Sequence, residues 1–440
     1  HSRPQCCQRL GPVDEGGGLR GRGGRSGFHR PGLRLGGVAR GVGSSAADPA
    51  QGRAHAAPAT VRHLYVHLPF CRSRCAYCDF YAEAVDGRRL EATASRYVTA
   101  LTRELAEKAA LTAHGLDTVY LGGGTPTHLP QTQLRALLEA VRPLLLPGAE
   151  VTVEANPGTI NAALLAALRA VGVTRVSLGI QSFHRELRAN LGRRVSDREV
   201  RESVRLLRAS PGLSWNVDLV LGIPGQHRRL LEADLESALT AAPSHISLYD
   251  LTYTPRYEAF LARRLGPAAA GRARRASEGA YHFAVDLLEH RGFRRYEVSN
   301  FARLGCECRH NLGYWRGEDY LGLGAGATST VGLRRWKNPD SWERYLEAWT
   351  AFPVAHREAG VEEEPLTPEV KCYEAVMLGL RTREGVHRRL LQAVADREQL
   401  DLMLRRGLVR EQRDKIALSA GGLDVSNFVL SAILLPPPVA

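Results

Sequence analysis

Short apolar runs alternate with longer amphipathic stretches through roughly the first half of the chain. The runs that read as strands are residues 64–67, 118–121, 150–154, 175–179, 215–221 and 245–250. Helical periodicity lies between them, at residues 91–113, 131–145, 162–171, 197–209 and 228–241. Strands that alternate with helices are typical of βαβ units and a parallel sheet. The pattern therefore predicts an α/β fold built on a partial (β/α)6, TIM-like barrel.

The alternation stops after residue 255, and the rest of the chain predicts other kinds of structure. Residues 272–291 have a helical pattern, and the glycines in 322–326 indicate a tight turn or a close backbone approach. Helical patterns return in 367–440, interrupted by Gly407 and by Gly421-Gly422. We therefore predict a barrel at 59–255, an α+β extension at 256–355 and a small helical or winged-helix-like domain at 356–440.

The composition and charge argue against a nucleic-acid-binding, membrane-spanning or secreted protein. The chain has 440 residues and a formal net charge of +13, and residues 1–58 carry nine Arg against three acids. This Gly- and Arg-rich head predicts a disordered or artefactual extension, not a nucleic-acid-binding surface. The sequence contains neither an apolar run long enough for a membrane span nor the apolar core of a secretory signal. Its eight Cys therefore indicate metal or thiol chemistry in the reducing cytoplasm.

Three cysteines directly follow the first predicted strand, in the run Cys71-Arg-Ser-Arg-Cys75-Ala-Tyr-Cys78. Three thiolates in so short a loop can bind one face of a [4Fe-4S] cluster and leave the fourth iron open to an exchangeable ligand. A zinc ion is the alternative, but zinc prefers four ligands. The nearest further candidate ligands lie far along the chain, at Cys306, Cys308 and His310. The spacing therefore favours the cluster.

Glycine and polar residues recur at the carboxyl ends of the predicted strands. Gly122-Gly123-Gly124 follow the second strand, where the backbone can approach a ligand closely. Glu154 closes the third strand, Gln181 follows the fourth, and Asp218 lies within the fifth. This end of a parallel barrel carries ligand sites, and an acid in an apolar strand is costly unless it is paired or binds something. Together these residues predict a ligand site, and Arg193 either complements a ligand carboxylate there or is an exposed helical residue.

A third cluster is the run Cys306-Glu-Cys308-Arg-His310-Asn-Leu-Gly-Tyr314-Trp315. His310 could ligate a heme iron, with the aromatic rings against the porphyrin. Cys308 is a rival axial ligand. The structural alternative is a packed aromatic corner in which His310 only forms hydrogen bonds.

Together these motifs resemble the radical S-adenosylmethionine superfamily, and within it the branch that contains the oxygen-independent coproporphyrinogen III oxidases and the heme chaperones. The similarity begins near residue 62 and includes residues 122–127, 154–157, 179–183, 218–225, 296–301 and 310–315. The resemblance implies a [4Fe-4S] cluster on Cys71, Cys75 and Cys78. It also implies S-adenosylmethionine contacts from Tyr65, Tyr77, Gly123, Gly124, Thr125, Glu154, Gln181, Arg193 and Asp218.

Two features are similar to the heme chaperones rather than to the oxidases. The oxidases carry a further Cys two residues after the third cluster ligand, where this chain has Phe80. The chaperones carry the pattern H-N-x-x-Y-W, which is present at residues 310–315. The resemblance therefore implies a chaperone that binds heme, with His310 as a ligand, and the alternative is a coproporphyrinogen III oxidase. Val195 and Thr328 stand where the family usually has His, so any contact made by those His side chains is missing here.

The function implied is binding and transfer. Whether the protein is also an enzyme stays open, its catalytic residues are unknown, and we expect little or no coproporphyrinogen oxidase activity. The expected partners are heme and a heme-accepting protein, with no nucleic acid. Any peripheral membrane contact would be made through that acceptor.

Overall fold

The computed structural model describes residues 60–85, 87–276, 279–350 and 361–438. The predicted head, residues 1–58, lies outside the described residues. The strands of the barrel region are β1 (His63–Leu68), β2 (Phe70–Cys71), β3 (Glu83–Ala84), β4 (Leu116–Gly123), β5 (Leu145–Ala155), β6 (Arg175–Gln181), β7 (Ser214–Leu221) and β8 (His245–Asp250).

Six of these strands, β1 and β4 to β8, form a parallel sheet in chain order and correspond to the six predicted strands. β1 and β6 are buried at every position, as expected for strands that are covered on both faces. β2 and β3 are two-residue strands that pair only with each other. The predicted partial barrel is confirmed.

Helices connect the barrel strands, and two of them are shorter than predicted. They are α1 (Gly87–Glu107), α2 (Gln131–Val141), α3 (Ala162–Ala170), α4 (Arg185–Asn190), α5 (Asp197–Arg208) and α6 (Arg228–Ala241). The predicted helix 91–113 ends in a 3-10 turn, Ala109–Thr112, and the predicted helix 131–145 ends in another, Arg142–Leu144. Pro143 has no N–H to donate, so it cannot continue the hydrogen bonding of α2.

The α+β extension lengthens both edges of the barrel sheet. Its elements are α7 (Pro255–Leu265), α8 (Ala269–Ala276), α9 (Ala280–His290), β9 (Arg294–Arg295), β10 (Asn300–Ala302), α10 (Arg309–Trp315), β11 (Tyr320–Leu323), β12 (Thr328–Val331), β13 (Arg334–Lys337), α11 (Trp342–Thr350) and β14 (Glu362–Pro365). β11 pairs in parallel with β1 and is followed by antiparallel β12 to β14, while β10 and β9 follow β8. The result is one twelve-stranded sheet.

The C-terminal elements form a small unit with its own core. They are α12 (Pro368–Gly379), β15 (Val386–His387), α13 (Arg388–Leu391), α14 (Arg397–Arg405), β16 (Val409–Gln412), β17 (Lys415–Leu418), α15 (Ala420–Asp424) and α16 (Ser426–Ile433). The order helix, strand, two helices and hairpin is that of a winged helix. Its core includes Val298 and Trp315 of the extension. Gly421-Gly422, predicted to interrupt a helix, lie within α15.

The predicted domain boundaries remain predictions, although β14 belongs to the large sheet beyond the boundary predicted at residue 356. Across the described ranges, no helix combines the length and the apolar character needed to cross a membrane.

Candidate functional site

The carboxyl ends of the barrel strands surround one cavity of about 1270 Å³. Cys71, Cys75 and Cys78 line it, together with most of the predicted cofactor contacts, which are Tyr77, Gly123, Gly124, Glu154, Gln181, Arg193 and Asp218. Two predicted contacts lie elsewhere. Tyr65 lines a smaller inner cavity, and the Thr125 hydroxyl lies 3.3 Å from the Cys71 sulfur. The fold thus brings together residues that are spread over more than a hundred positions of the sequence.

The cysteine loop is fixed through its backbone. The Ala76 N–H donates to the carbonyl of Leu191 at 3.1 Å, which ties the loop to the end of α4. The Arg256 guanidinium donates to the carbonyls of Cys75 and Cys78 at 3.5 and 3.4 Å. All three cysteines are partly exposed and line the cavity. The thiols are therefore positioned by contacts that leave their sulfur atoms accessible.

The electrostatics of the site favour anionic sulfur only in part. Burial raises the pKa of the Cys71 thiol to about 11, against the lowering effect of its contact with Thr125. The Arg193 guanidinium lies within 3.6 Å of the Cys75 sulfur and donates toward it. Metal ligands must be thiolates, so binding of iron would have to displace the proton from Cys71.

The number of thiols bears on the choice between a zinc ion and a cluster. Three cysteines line the cavity, whereas structural zinc sites take four ligands. A zinc ion would draw its thiolate ligands to about 2.3 Å from one point. A cubane cluster spreads three thiolates over three different irons. The donor set therefore fits a cluster better than the zinc alternative.

The two predicted acids are held by hydrogen bonds at the cavity wall. Glu154 accepts from the hydroxyl of Tyr120 at 2.8 Å and from the backbone N–H of Gly123 at 3.3 Å. Asp218 accepts from Ser177 Oγ at 3.2 Å and from Asn216 Nδ2 at 2.9 Å. Hydrogen bonding of this kind offsets the cost of burying an acid within a strand. Both carboxylates are thus oriented before any ligand arrives.

Arg193 is a buried cation at the cavity and not an exposed helical residue. Its guanidinium donates to Asn156 Oδ1 at 2.6 Å and to the carbonyl of Gly179. Burial is the largest single influence on the pKa of Arg193 and lowers it, but Cys75, Tyr77 and Cys71 together raise the pKa above its ordinary value, so the group stays charged. Asn156 also lines the cavity. The sequence motifs did not predict it as a site residue, although it follows Glu154 by only two residues. This arrangement suits recognition of a carboxylate.

His310 lies deep in the barrel, on the short helix α10. The side chain of Glu150 accepts from the backbone N–H groups of Arg309 and His310 at 3.2 and 3.0 Å, and so caps α10. The imidazole is 1% exposed, its Nδ1 is 2.7 Å from Thr118 Oγ1, and its ring stacks on Tyr120. The rival ligand Cys308 is buried and donates to Glu150 at 3.4 Å.

The surroundings of His310 leave little room for a ligand. Its Nε2 is buried without a hydrogen-bond partner, and the residue lines the inner cavity, which measures about 70 Å³. Pockets for drug-sized ligands are typically about 300–1,000 Å³, whereas a space of this size suits a few water molecules. The predicted heme contact of His310 would therefore require α10 to move, and it remains a prediction.

Comparison with known proteins identifies the family. A model of the Radical SAM superfamily matches residues 65–238. The heme chaperone HemW of Synechocystis sp. is 35% identical, over 77% of this chain and 82% of that protein. HemW of Mycobacterium tuberculosis is 36% identical, over 84% of this chain and 94% of that protein, and HemW of Bacillus subtilis is 30% identical, over 85% and 99%. The chain belongs to the HemW family within the radical SAM superfamily.

A solved structure shares the fold. The coproporphyrinogen III oxidase HemN of Escherichia coli superposes with a TM-score of 0.68 at 21% identity, over 86% of this chain and 91% of that one. The likeness agrees with the predicted fold class.

Glu297, a buried acid that lines the inner cavity, should make the free energy of unfolding depend on pH. Glu297 is fully buried, and one carboxyl oxygen accepts from the N–H of Ser299 at 3.0 Å while Oε1 has no partner. Burial raises the pKa of Glu297 to about 7 from an ordinary 4.5. The unfolded chain therefore loses this proton at lower pH than the folded protein does. The free energy of unfolding should fall as pH rises from about 4.5 to about 7.

Glu297→Gln has no group that titrates at this position, so its free energy of unfolding should not fall over this pH range. The variant should therefore become more stable than wild type as pH rises to about 7, and the difference should stay constant at higher pH. The gain at pH 8 should be on the order of 3 kcal/mol at most. Urea denaturation at pH 5 and pH 8 measures it. Glu363→Gln, whose side chain is 56% exposed, is the control. An equal effect of Glu297→Gln at both pH values would contradict the buried-acid explanation.

Proposed function

We propose that this protein binds a [4Fe-4S] cluster through Cys71, Cys75 and Cys78. The observation that carries the proposal is that the three thiols face the same cavity as the carboxyl ends of the barrel strands. Three protein ligands leave one iron open. A reduced cluster of this kind supplies one-electron chemistry to a sulfonium compound held at that iron.

We further propose S-adenosylmethionine as the second ligand of the cavity. Its carboxylate suits the buried Arg193 cation, and its sulfonium and ribose suit the acids Glu154 and Asp218. The backbone of Gly123 and Gly124 lies on the same wall of the cavity. The residues of this chain thus bind and orient the cofactor, and the hydrogen bonds to both acids fix them in advance.

Heme binding and transfer is the function we infer for the whole protein, because the relatives are heme chaperones by name. The cavity of about 1270 Å³ exceeds the roughly 300–1,000 Å³ typical of one ligand, so it has space for a macrocycle beside the cofactor. Tyr249, Tyr253 and Phe80 give this part an aromatic lining, and Arg74 can pair with a propionate. We therefore locate heme here, and not at His310 as α10 now lies.

Heme titration of the anaerobically reconstituted protein tests this location. Wild type should shift the Soret band saturably, and His310→Ala should keep that affinity because His310 lines a space of only about 70 Å³. His387→Ala, in the C-terminal unit, is the matched control. Lost affinity in His310→Ala, with cluster and fold intact, would restore the predicted ligand role. Ligation of heme by His310 would also require α10 to move. A shift only in Cys308→Ala would assign the iron to that thiol.

The same preparation should not decarboxylate coproporphyrinogen III. The reason is Phe80, which takes the place of the additional Cys expected of the oxidases. Product analysis by chromatography after incubation with S-adenosylmethionine and reductant checks this. Many turnovers per protein would favour the oxidase alternative and contradict the chaperone proposal.

A further inference from the structure

We propose that Asp234 and Arg188 are positioning residues that hold the cofactor-binding side chains Gln181 and Arg193 in place. Neither residue lines the cavity. Both act through the backbone and the Ser182 side chain directly after β6. This inference rests on the proposed S-adenosylmethionine site and adds to it the groups that fix its geometry.

The segment that they hold is strained. Gln181 has a φ of 72°, in the left-handed region that residues with side chains rarely adopt. The pairing of β6 with β7 also shifts its register between Gly179 and Gln181. Such a backbone is costly and persists only where the surroundings determine it. The strain therefore calls for contacts that hold residues 181–183 in this conformation.

Asp234 provides one set of these contacts from α6. Its carboxylate is 1% exposed and accepts from Ser182 Oγ at 2.8 and 3.1 Å. It also accepts from the backbone N–H of Phe183 at 2.7 Å. A buried carboxylate is tolerated only when it is well hydrogen-bonded, and these donors belong to the two residues that follow Gln181. Asp234 thus anchors the strained segment from behind the cavity wall.

Arg188 provides the opposing contacts from α4 and extends them to Arg193. Its fully buried guanidinium donates to the carbonyl of Ser182 at 2.8 Å and to that of Val195 at 3.3 Å, and it pairs with Asp197. The backbone N–H of Arg193 in turn donates to the carbonyl of Arg188 at 2.9 Å. One side chain therefore ties the Gln181 segment to the loop that carries Arg193. Hydrogen-bonded outer groups of this kind commonly change affinity by about 10–100-fold when removed.

The test uses the reconstituted protein in four variants, namely Asp234→Asn, Ser182→Ala, Arg188→Lys and the control Asp424→Asn. Asp424 is a partly buried acid, with 12% of its side chain exposed. It pairs with Arg295 at 2.5 Å, and neither residue lines the cavity. Equilibrium dialysis measures the affinity for S-adenosylmethionine. The change that S-adenosylmethionine causes in the EPR spectrum of the reduced cluster reports its placement at the iron.

Asp234→Asn and Arg188→Lys should each weaken S-adenosylmethionine binding on the order of tenfold and reduce the EPR change. Iron and sulfide content should stay near the wild-type level, because the substitutions leave the three cysteines and the backbone hydrogen bond of their loop to Leu191 in place. Ser182→Ala removes a single hydroxyl and should give a smaller loss in the same direction. Asp424→Asn should leave affinity and spectrum unchanged.

Wild-type affinity and an unchanged spectrum in all three test variants would overturn the inference while leaving the proposed cofactor site intact. If Asp234→Asn fails to fold, Ser182→Ala and Arg188→Lys still decide the question. Failure of the wild-type protein to bind S-adenosylmethionine would overturn the proposed function and this inference together. The two failures are therefore distinguishable.

Discussion

Replacing any one of Cys71, Cys75 and Cys78 by Ala should abolish most of the cluster. Three thiolates hold three irons of a cubane, and two cannot keep its face bound. The three thiols line one cavity, with a hydroxyl at 3.3 Å from Cys71 and a guanidinium at 3.6 Å from Cys75 to support the thiolates. Each variant should therefore lose iron, sulfide and the EPR signal of the reduced cluster together.

Anaerobic reconstitution followed by iron and sulfide analysis measures this loss. Cys372→Ala is the matched control, because Cys372 is a free, partly exposed thiol on α12 in the C-terminal unit. It should keep wild-type cluster content. Stoichiometric zinc without a cluster signal in wild type would contradict the cluster proposal, and so would full iron content in the single variants.

Replacing Gly123 by Ala should abolish S-adenosylmethionine binding and lower stability by about 1–3 kcal/mol or more. Gly123 has a φ of 104°, and a Cβ there would lie 2.4 Å from Cε1 of His67. His67 cannot easily withdraw, since its ring is fully buried and bonded to Tyr65 OH at 3.0 Å and to the carbonyl of Tyr81 at 2.9 Å. The backbone must shift instead, and with it the N–H that Gly123 donates to Glu154.

Equilibrium dialysis of S-adenosylmethionine and thermal unfolding measure the two effects. Gly421→Ala is the control, since a Cβ there meets no atom within 4 Å. It should leave binding and stability near those of wild type. Normal binding by Gly123→Ala would show that the contact with His67 relaxes without disturbing Glu154. The result would also contradict the sequence-based explanation, in which the glycine admits the ligand.

The cysteine loop and the barrel were predictable because the sequence patterns that indicate them are local. The cysteine spacing lies within one short loop, and the alternation of strands and helices repeats along neighbouring segments. The roles of individual polar residues were less predictable. Arg193 allowed two interpretations, and only the packing of α4 and β6 shows it as a buried cation beside Asn156. Asp234 carried no sequence signal, because its partners Ser182 and Phe183 come from another element.

The βαβ barrel, the cysteine loop and the polar residues at the strand ends could be predicted from the sequence, since each depends on periodicity or spacing between near neighbours. Tertiary packing set the topology of the extension, because β11 pairs with β1 across more than half of the chain. It also decided the surroundings of His310, which meets Thr118 from 192 positions away. Contacts between distant segments depend on how whole elements pack, and no local pattern records that packing.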